Sequence, residues 1–187
     1  MKILLASKSP RRCELLNQID VDFECVDIDI DESWDGKETP ENYVQRIALE
    51  KARAGNAYSD EDLPVLAADT AVILDGEILG KAENNEAAAA MLKKLSGNTH
   101  TVLSAVSLIH TKEQTLLSTS RVTFKKLTKK DITHYIETGE SIGKAGGYAI
   151  QGKAAVFIER LEGSYSGVMG LPLFETQQLM DSVVSST

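Results

Sequence analysis

The sequence predicts an α/β fold around a mixed sheet. Helix signals and strand-like apolar runs interleave along its length, which calls for helices packed on a sheet. An Asp75-Gly76 pair between "PVLAADTAVIL" and "EIL" reads as a hairpin turn. Apolar residues make up 42% of 187 residues, enough for a substantial core in a single domain spanning 1–187.

Each element has a local reason. Residues 2–6 form a short apolar strand. Ser9 stands at an N-cap position with Pro10 at the first helical position, so a helix should run through Leu15 and Leu16. Residues 23–28 read as a second strand, followed by the acidic stretch "DIDIDESWDGKE". Thr39-Pro40 opens a longer helix by the same device, ending near Tyr58. "PVLAADTAVIL" is a third strand and "EIL" its return. "NNEAAAAMLKKLSG" is a helix stopped at Gly97. "HTVLSAVSLIH" and "LLSTSRVTFKKL" are two longer strands joined by polar "TKEQ". Thr128 caps a helix through Glu137. "GKAGGYAIQG" is a glycine-rich loop, "AAVFIERLEG" a strand and "LPLFETQQLMDSVV" a closing helix. No repeat, low-complexity tract or linker interrupts the pattern.

Composition narrows the function classes. The formal net charge of -8 disfavours a protein that coats nucleic acid or anionic membranes, while leaving room for a locally positive cleft. The cysteines, Cys13 and Cys25, fit neither a CxxC nor a Cys/His metal pattern, so a reduced cytoplasmic protein is the simplest expectation. "ILLA" is too short for a signal-peptide core, and no apolar run reaches membrane-spanning length.

Residues that break local rules are the informative ones. Arg11 and Arg12 occupy the first turn of a helix, where the helix dipole disfavours cations and backbone N–H groups lack partners. An anion, most commonly a phosphate, would resolve both problems; two solvated surface arginines is the other reading. Lys51 follows Ile47 by four and Ala48 by three, which puts it on the inward face of its helix. It needs a carboxylate, an anionic ligand or a snorkelling path, the last being commonest. Asp69 interrupts an otherwise apolar strand and must be paired, hydrogen-bonded or bound to metal. Simple hairpin register sets Lys81 opposite Thr70, near Asp69; a bulge at Gly80 could turn its side chain toward that carboxylate. Glu32 lies in an acidic run where solvated carboxylates are ordinary. Ser7 and Ser9 could offer hydroxyls to a phosphate. His100, His110 and His134 show no ligand spacing and read as ordinary strand-end and helix residues. No Walker loop, GxSxG elbow or Cys/His pairing is present. Several cations with a few carboxylates are the chemistry of phosphate recognition with a divalent ion.

"LLASKSPRRCELL" resembles the opening signature of the Maf family of nucleoside triphosphate pyrophosphatases. "EKARA", "VLAADTAVILDGEILGK", "LSGNTHTV", "AGGYAIQGKA" and "GSYSGVMGLPL" continue the likeness in the family's order across nearly the whole chain. The resemblance implies an ITPase-like fold, a long twisted mixed sheet with a cleft between two lobes, in a cytoplasmic, metal-dependent enzyme. A homodimer is compatible with it, and family members have been linked to arrest of septum formation. Residue by residue, Ser9 and Arg12 match the family's phosphate-binding positions, and Glu32, Lys51, Asp69 and Lys81 its catalytic positions, with Asp69 as proton acceptor. Arg11, Thr70 and Gln151 resemble the branch acting on dTTP and UTP; the 7-methyl-GTP branch has tryptophan at the position of Arg11.

The implied reaction is hydrolysis between the α and β phosphorus atoms, yielding a nucleoside monophosphate and pyrophosphate. Arg12, Lys51 and Lys81 would hold phosphate oxygens, and Mg²⁺ or Mn²⁺ would bridge phosphates to Glu32 and Asp69. Gln151 suits the acceptor–donor–acceptor edge of uracil and thymine. The competing expectations are a 7-methyl-GTP or broad modified-nucleotide pyrophosphatase, a nucleotide-binding regulator of division, and an enzyme releasing orthophosphate.

Overall fold

The computed structural model describes residues 2–34, 36–59 and 63–184. A seven-stranded mixed sheet runs through it in the order β2-β1-β3-β5-β6-β7, with β4 also paired to β3. The first three strands of that order, β2 (Asp22–Val26), β1 (Lys2–Ala6) and β3 (Val65–Leu74), are mutually parallel. β5 (Thr99–Ile109), β6 (Glu113–Phe124) and β7 (Ile158–Glu162) continue antiparallel. The sheet carries α1 (Pro10–Gln18), α2 (Pro40–Asn56), α3 (Asn85–Leu95), α4 (Lys129–Glu137), α5 (Tyr165–Met169) and α6 (Leu173–Val184). No helix among the described residues is long and apolar enough to cross a membrane.

β3 is the pivot. β5 pairs with it from Val65 to Ile73 along one edge. On the other edge β1 reaches only Val65 and Leu66, and β4 (Glu77–Leu79) only Val72 to Leu74. Among the described residues, no strand therefore lies beside residues 67–71 on that side. This gap sits at the carboxyl end of β1, where open α/β sheets place their ligands. Side chains on a strand alternate between faces, so Asp69 and Thr70 leave β3 in opposite directions around this open edge.

α2 explains the Asp69 face. Thr39 caps it by accepting from Asn42 N at 3.3 Å, and Pro40 enters at its start. Its buried stripe, Val44, Ile47, Ala48, Lys51, Ala52 and Gly55, lies on the sheet. Burying Val44 and Ile47 contributes about 1.5–3 kcal/mol each. Small residues elsewhere in the stripe let the helix approach closely: a Cβ on Gly55 would lie 2.6 Å from Ala6 Cβ.

The apolar core divides toward the two ends of the sheet. One cluster joins Val72, Leu92, Phe124, Tyr135, Tyr148 and Phe157. Another joins Ile3, Leu16, Leu66, Val106 and Leu179. The open stretch of β3 lies between them.

Three details depart from the sequence expectations. "AAVFIERLEG" begins as a 3₁₀ turn over Lys153–Phe157 before β7 starts at Ile158, because Ala154 and Phe157, three apart, are both buried on one side of a turn. Lys81 does not pair with Thr70: the hairpin ladder ends at Val72–Leu79, and Lys81 bridges to Ala145 instead. His100 is not an ordinary strand-end residue, being 2% exposed with its ring edge-on to Phe124 and Tyr148. The hairpin turn itself is as expected, with φ of 51° at Asp75 and 82° at Gly76. Cys13 and Cys25 are free thiols with sulfurs 3.4 Å apart.

Candidate active site

A cavity of about 360 Å³ opens at the uncovered edge of β3. Ser9, Arg11, Arg12, Glu32, Lys51, Asp69, Thr70, Lys81 and Gln151 all line it. They come from distant parts of the chain: Ser9, Arg11 and Arg12 from the start of α1, Lys51 from α2, Asp69 and Thr70 from β3, and Glu32, Lys81 and Gln151 from connecting segments.

On the α2 side, Lys51 is the centre. Its ammonium lies 2.8 Å from Asp69 Oδ1 and 2.9 Å from Glu32 Oε1. Glu32 Oε2 in turn meets Lys81 Nζ at 3.0 Å. The result is an alternating chain Asp69–Lys51–Glu32–Lys81 running from buried floor to exposed mouth. Lys51 and Asp69 side chains are 7% and 9% exposed, whereas Lys81 is 63% exposed. Snorkelling thus does not explain Lys51; its charge stays inside and is paired there. Burial works to raise the Glu32 carboxyl, but hydrogen bonds and charges from Lys51 and then Lys81 outweigh it and hold Glu32 below its ordinary value. Tyr43 of α2 donates its hydroxyl to the Glu32 carbonyl at 2.8 Å and anchors the irregular acidic stretch. A buried ion pair adds little net stability, since desolvation consumes most of its attraction. Its place in a cleft favours a functional role.

On the other side, α1 and α5 face each other. Arg12 donates through Nε to Gly170 O at 2.9 Å and through Nη1 to Ser7 Oγ at 3.0 Å. Arg11 donates through Nε to Met169 O at 3.2 Å. The first-turn arginines therefore find carbonyl partners at the end of α5, where Gly170 adopts φ 123°, a conformation other residues rarely hold. Burial lowers the pKa of Arg12, with the Asp69 charge acting against it; burial likewise lowers Arg11. Ser9 occupies the N-cap position of α1, but its side chain makes no capping bond there. Ser7 Oγ accepts instead from Ser9 N at 3.1 Å, so Ser7 is the residue that ties this loop.

Thr70 Oγ1 lies 2.8 Å from Ser104 Oγ, and Gln151 stands exposed beside Arg11 and Lys144 at the cavity rim. Three contributors had no individual sequence signal. Ser104 is an ordinary serine in a long strand. Tyr148, whose hydroxyl meets His100 Nε2 at 2.7 Å, sits in a glycine-rich loop. Lys144, lowered by burial and then by the Arg11 charge, is one lysine among many.

A divalent ion fits the donor set. Glu32 and Asp69 offer carboxylate oxygens, which hard cations prefer, and such ions commonly complete their shell with phosphate oxygens and water. No group of three or more His, Cys, Asp or Glu side chains able to cage a metal occurs among the described residues. The arrangement suits an ion that arrives with a phosphorylated ligand.

The profile of Maf-like proteins matches residues 2–183. A dTTP/UTP pyrophosphatase of Alkalilimnicola ehrlichii is 56% identical over 96% of this chain and 91% of its own length. One from Cupriavidus pinatubonensis is 49% identical, covering 95% of this chain and 94% of its own. Among solved structures, a nucleoside-triphosphatase / dITP/XTP pyrophosphatase from Mycobacterium abscessus superposes with a TM-score of 0.44 at 20% identity, over 68% of this chain and 76% of that one.

Proposed function

The chain belongs to the Maf-like protein family, and from that premise we propose that it hydrolyses dTTP and UTP to the nucleoside monophosphate and pyrophosphate. The observation that carries the chemistry is the Asp69–Lys51–Glu32–Lys81 chain, set in one cavity with Arg12. The choice of pyrimidine triphosphates is supported by relatives at 56% and 49% identity that bear that activity in their names.

A phosphoanhydride is cleaved when its charge is neutralised and a water is aligned with the leaving group. Arg12 supplies a fixed guanidinium at the head of α1, with Ser9 beside it. Lys81, exposed at the cavity mouth, meets the outer phosphates, while Lys51 meets phosphate oxygens from the floor. Asp69 is the proton acceptor. Lys51 takes its Oδ1, and Oδ2 has no hydrogen bond among the described residues. That oxygen holds the attacking water and receives its proton. Mg²⁺ or Mn²⁺, bound by Glu32 and Asp69, would neutralise phosphate charge when present. Pyrophosphate leaves with the charge that Arg12 and Lys81 have balanced.

At the other end of the cleft, Gln151, Arg11 and Thr70 meet the nucleoside. A glutamine amide accepts from N3–H and donates to a flanking carbonyl of uracil or thymine. The test is a nucleotide panel comprising dTTP, UTP, CTP and 7-methyl-GTP with Mg²⁺ or Mn²⁺, scored for pyrophosphate and orthophosphate. Pyrophosphate from dTTP and UTP is expected. A preference for 7-methyl-GTP, or orthophosphate as product, overturns the reading.

A further inference from the structure

Thr70 and Ser104 are cross-strand neighbours on β3 and β5. Their hydroxyls lie 2.8 Å apart, a distance that requires one to donate to the other. Which one donates is fixed by a third atom. Ser104 Oγ is also 2.6 Å from the carbonyl oxygen of Gly167, on α5. A carbonyl only accepts, and a serine hydroxyl has a single hydrogen. Without a hydrogen between them, two oxygens at that distance repel. Ser104 therefore spends its hydrogen on Gly167, and Thr70 must donate to Ser104. Ser104 is 1% exposed, so no solvent competes for this arrangement. The same Gly167 carbonyl accepts from Gly170 N at 3.0 Å, which locks the acceptor in the turn that also receives Arg11 and Arg12.

We propose that Ser104 is a positioning residue that sets the polarity of Thr70, so that the Thr70 hydroxyl faces the cavity as a hydrogen-bond acceptor only. Thr70 lines the cavity while Ser104 lies beneath it, so the serine acts through its neighbour. A nucleotide must then present a donor at this point, and because Gln151 takes the single pyrimidine N3–H, that donor is a sugar hydroxyl. An acceptor placed there meets a lone pair and is refused. The inference rests on the nucleotide-cleft reading of Thr70 and adds to it a direction: the cleft selects against acceptors at Thr70 because of a residue the ligand never touches.

The experiment compares wild type with Ser104→Ala and Ser104→Thr, using UTP, CTP, dTTP and 3′-deoxy-dTTP and separating KM from kcat. In Ser104→Ala the Thr70 hydrogen is released and can turn toward the ligand. The ratio of dTTP to 3′-deoxy-dTTP in kcat/KM should fall roughly tenfold, mainly through KM, while the UTP-to-CTP ratio set by Gln151 stays as in wild type. Ser104→Thr keeps the hydroxyl and should restore the ratio that moved. If Ser104→Ala does not fold, Ser104→Cys, near in size with a weak donor, takes its place. An unchanged ratio of dTTP to 3′-deoxy-dTTP in a folded variant, or a uniform loss for all nucleotides that the threonine variant does not reverse, would overturn the proposal. Wild type showing no pyrimidine triphosphate hydrolysis at all would instead remove the reading on which it rests.

Discussion

Lys51 Nζ lies 2.8 Å from Asp69 Oδ1, both on side chains less than a tenth exposed, with Glu32 closing the other side of the ammonium at 2.9 Å. A helix and the central strand thus meet through opposite charges at the stretch of β3, residues 67–71, that has no strand on one side among the described residues. The pair is costly to desolvate and stands where a ligand can use it. That combination shapes the predictions below.

Lys51→Met removes the charge while keeping most of the side chain's volume. Asp69 is then buried without a partner, and unfolding free energy should drop by about 3–5 kcal/mol at pH 7. Urea titration at pH 7 checks this; a stability within about 1 kcal/mol of wild type contradicts it.

Arg12→Lys keeps a cation but cannot reach Gly170 O and Ser7 Oγ together with a planar fork. KM for UTP should rise at least about tenfold, consistent with the loss of a charge-assisted contact, with a smaller change in kcat. Arg12→Ala should be worse in both. Steady-state kinetics at fixed ionic strength decide it.

Gln151 should reject cytosine. Wild type is expected to use CTP at least about a hundredfold less efficiently than UTP, because cytosine reverses the edge that an oriented amide reads. Gln151→Ala should narrow that gap chiefly by losing UTP. Equal efficiency for the two nucleotides in wild type would sink this account of Gln151.

Burial pushes His100 down from 6.5 to about 4. A depressed histidine favours the neutral form in the folded state. Its contribution is therefore present above pH 6.5 and is lost as pH falls from there toward 4, on the order of 3 kcal/mol in total. Glu32, also depressed, loses its contribution on acidification below its ordinary range, in the same direction. Melting curves from pH 7 to 4 should slope downward, and His100→Asn should flatten the upper part of that slope. A His100→Asn profile parallel to wild type contradicts this assignment.

Chelation should stop turnover without loosening the fold. Glu32 and Asp69 already have cationic partners, and no metal cage occurs among the described residues. A chelator should therefore remove activity and leave the nucleotide-free melting temperature unchanged. A drop of several degrees would place a structural ion in the protein.

Much of this was legible because local rules were broken. Asp69 in an apolar strand, Lys51 on an inward helix face and two arginines at a helix start each signalled a cost that something must offset. The partners were not legible. Arg11 and Arg12 reach carbonyls 158 residues away, on a five-residue helix with glycine inside it that propensity does not reveal. Lys81 could not be placed from hairpin counting, because the ladder ends at Leu79 and the chain turns toward Ala145. His100 and Ser104 carry types common in strands, and only tertiary packing shows that one is buried among aromatics and the other sits under Thr70.

The most direct test of the central claim pairs wild type with Asp69→Asn on UTP, counting pyrophosphate and uridine monophosphate as they form. Asparagine keeps the shape and can still accept from Lys51, but it cannot take a proton from water. Wild type should release one pyrophosphate per monophosphate, and Asp69→Asn should be slower by about a thousandfold or more with its fold intact. Near-wild-type pyrophosphate release by Asp69→Asn would contradict the account.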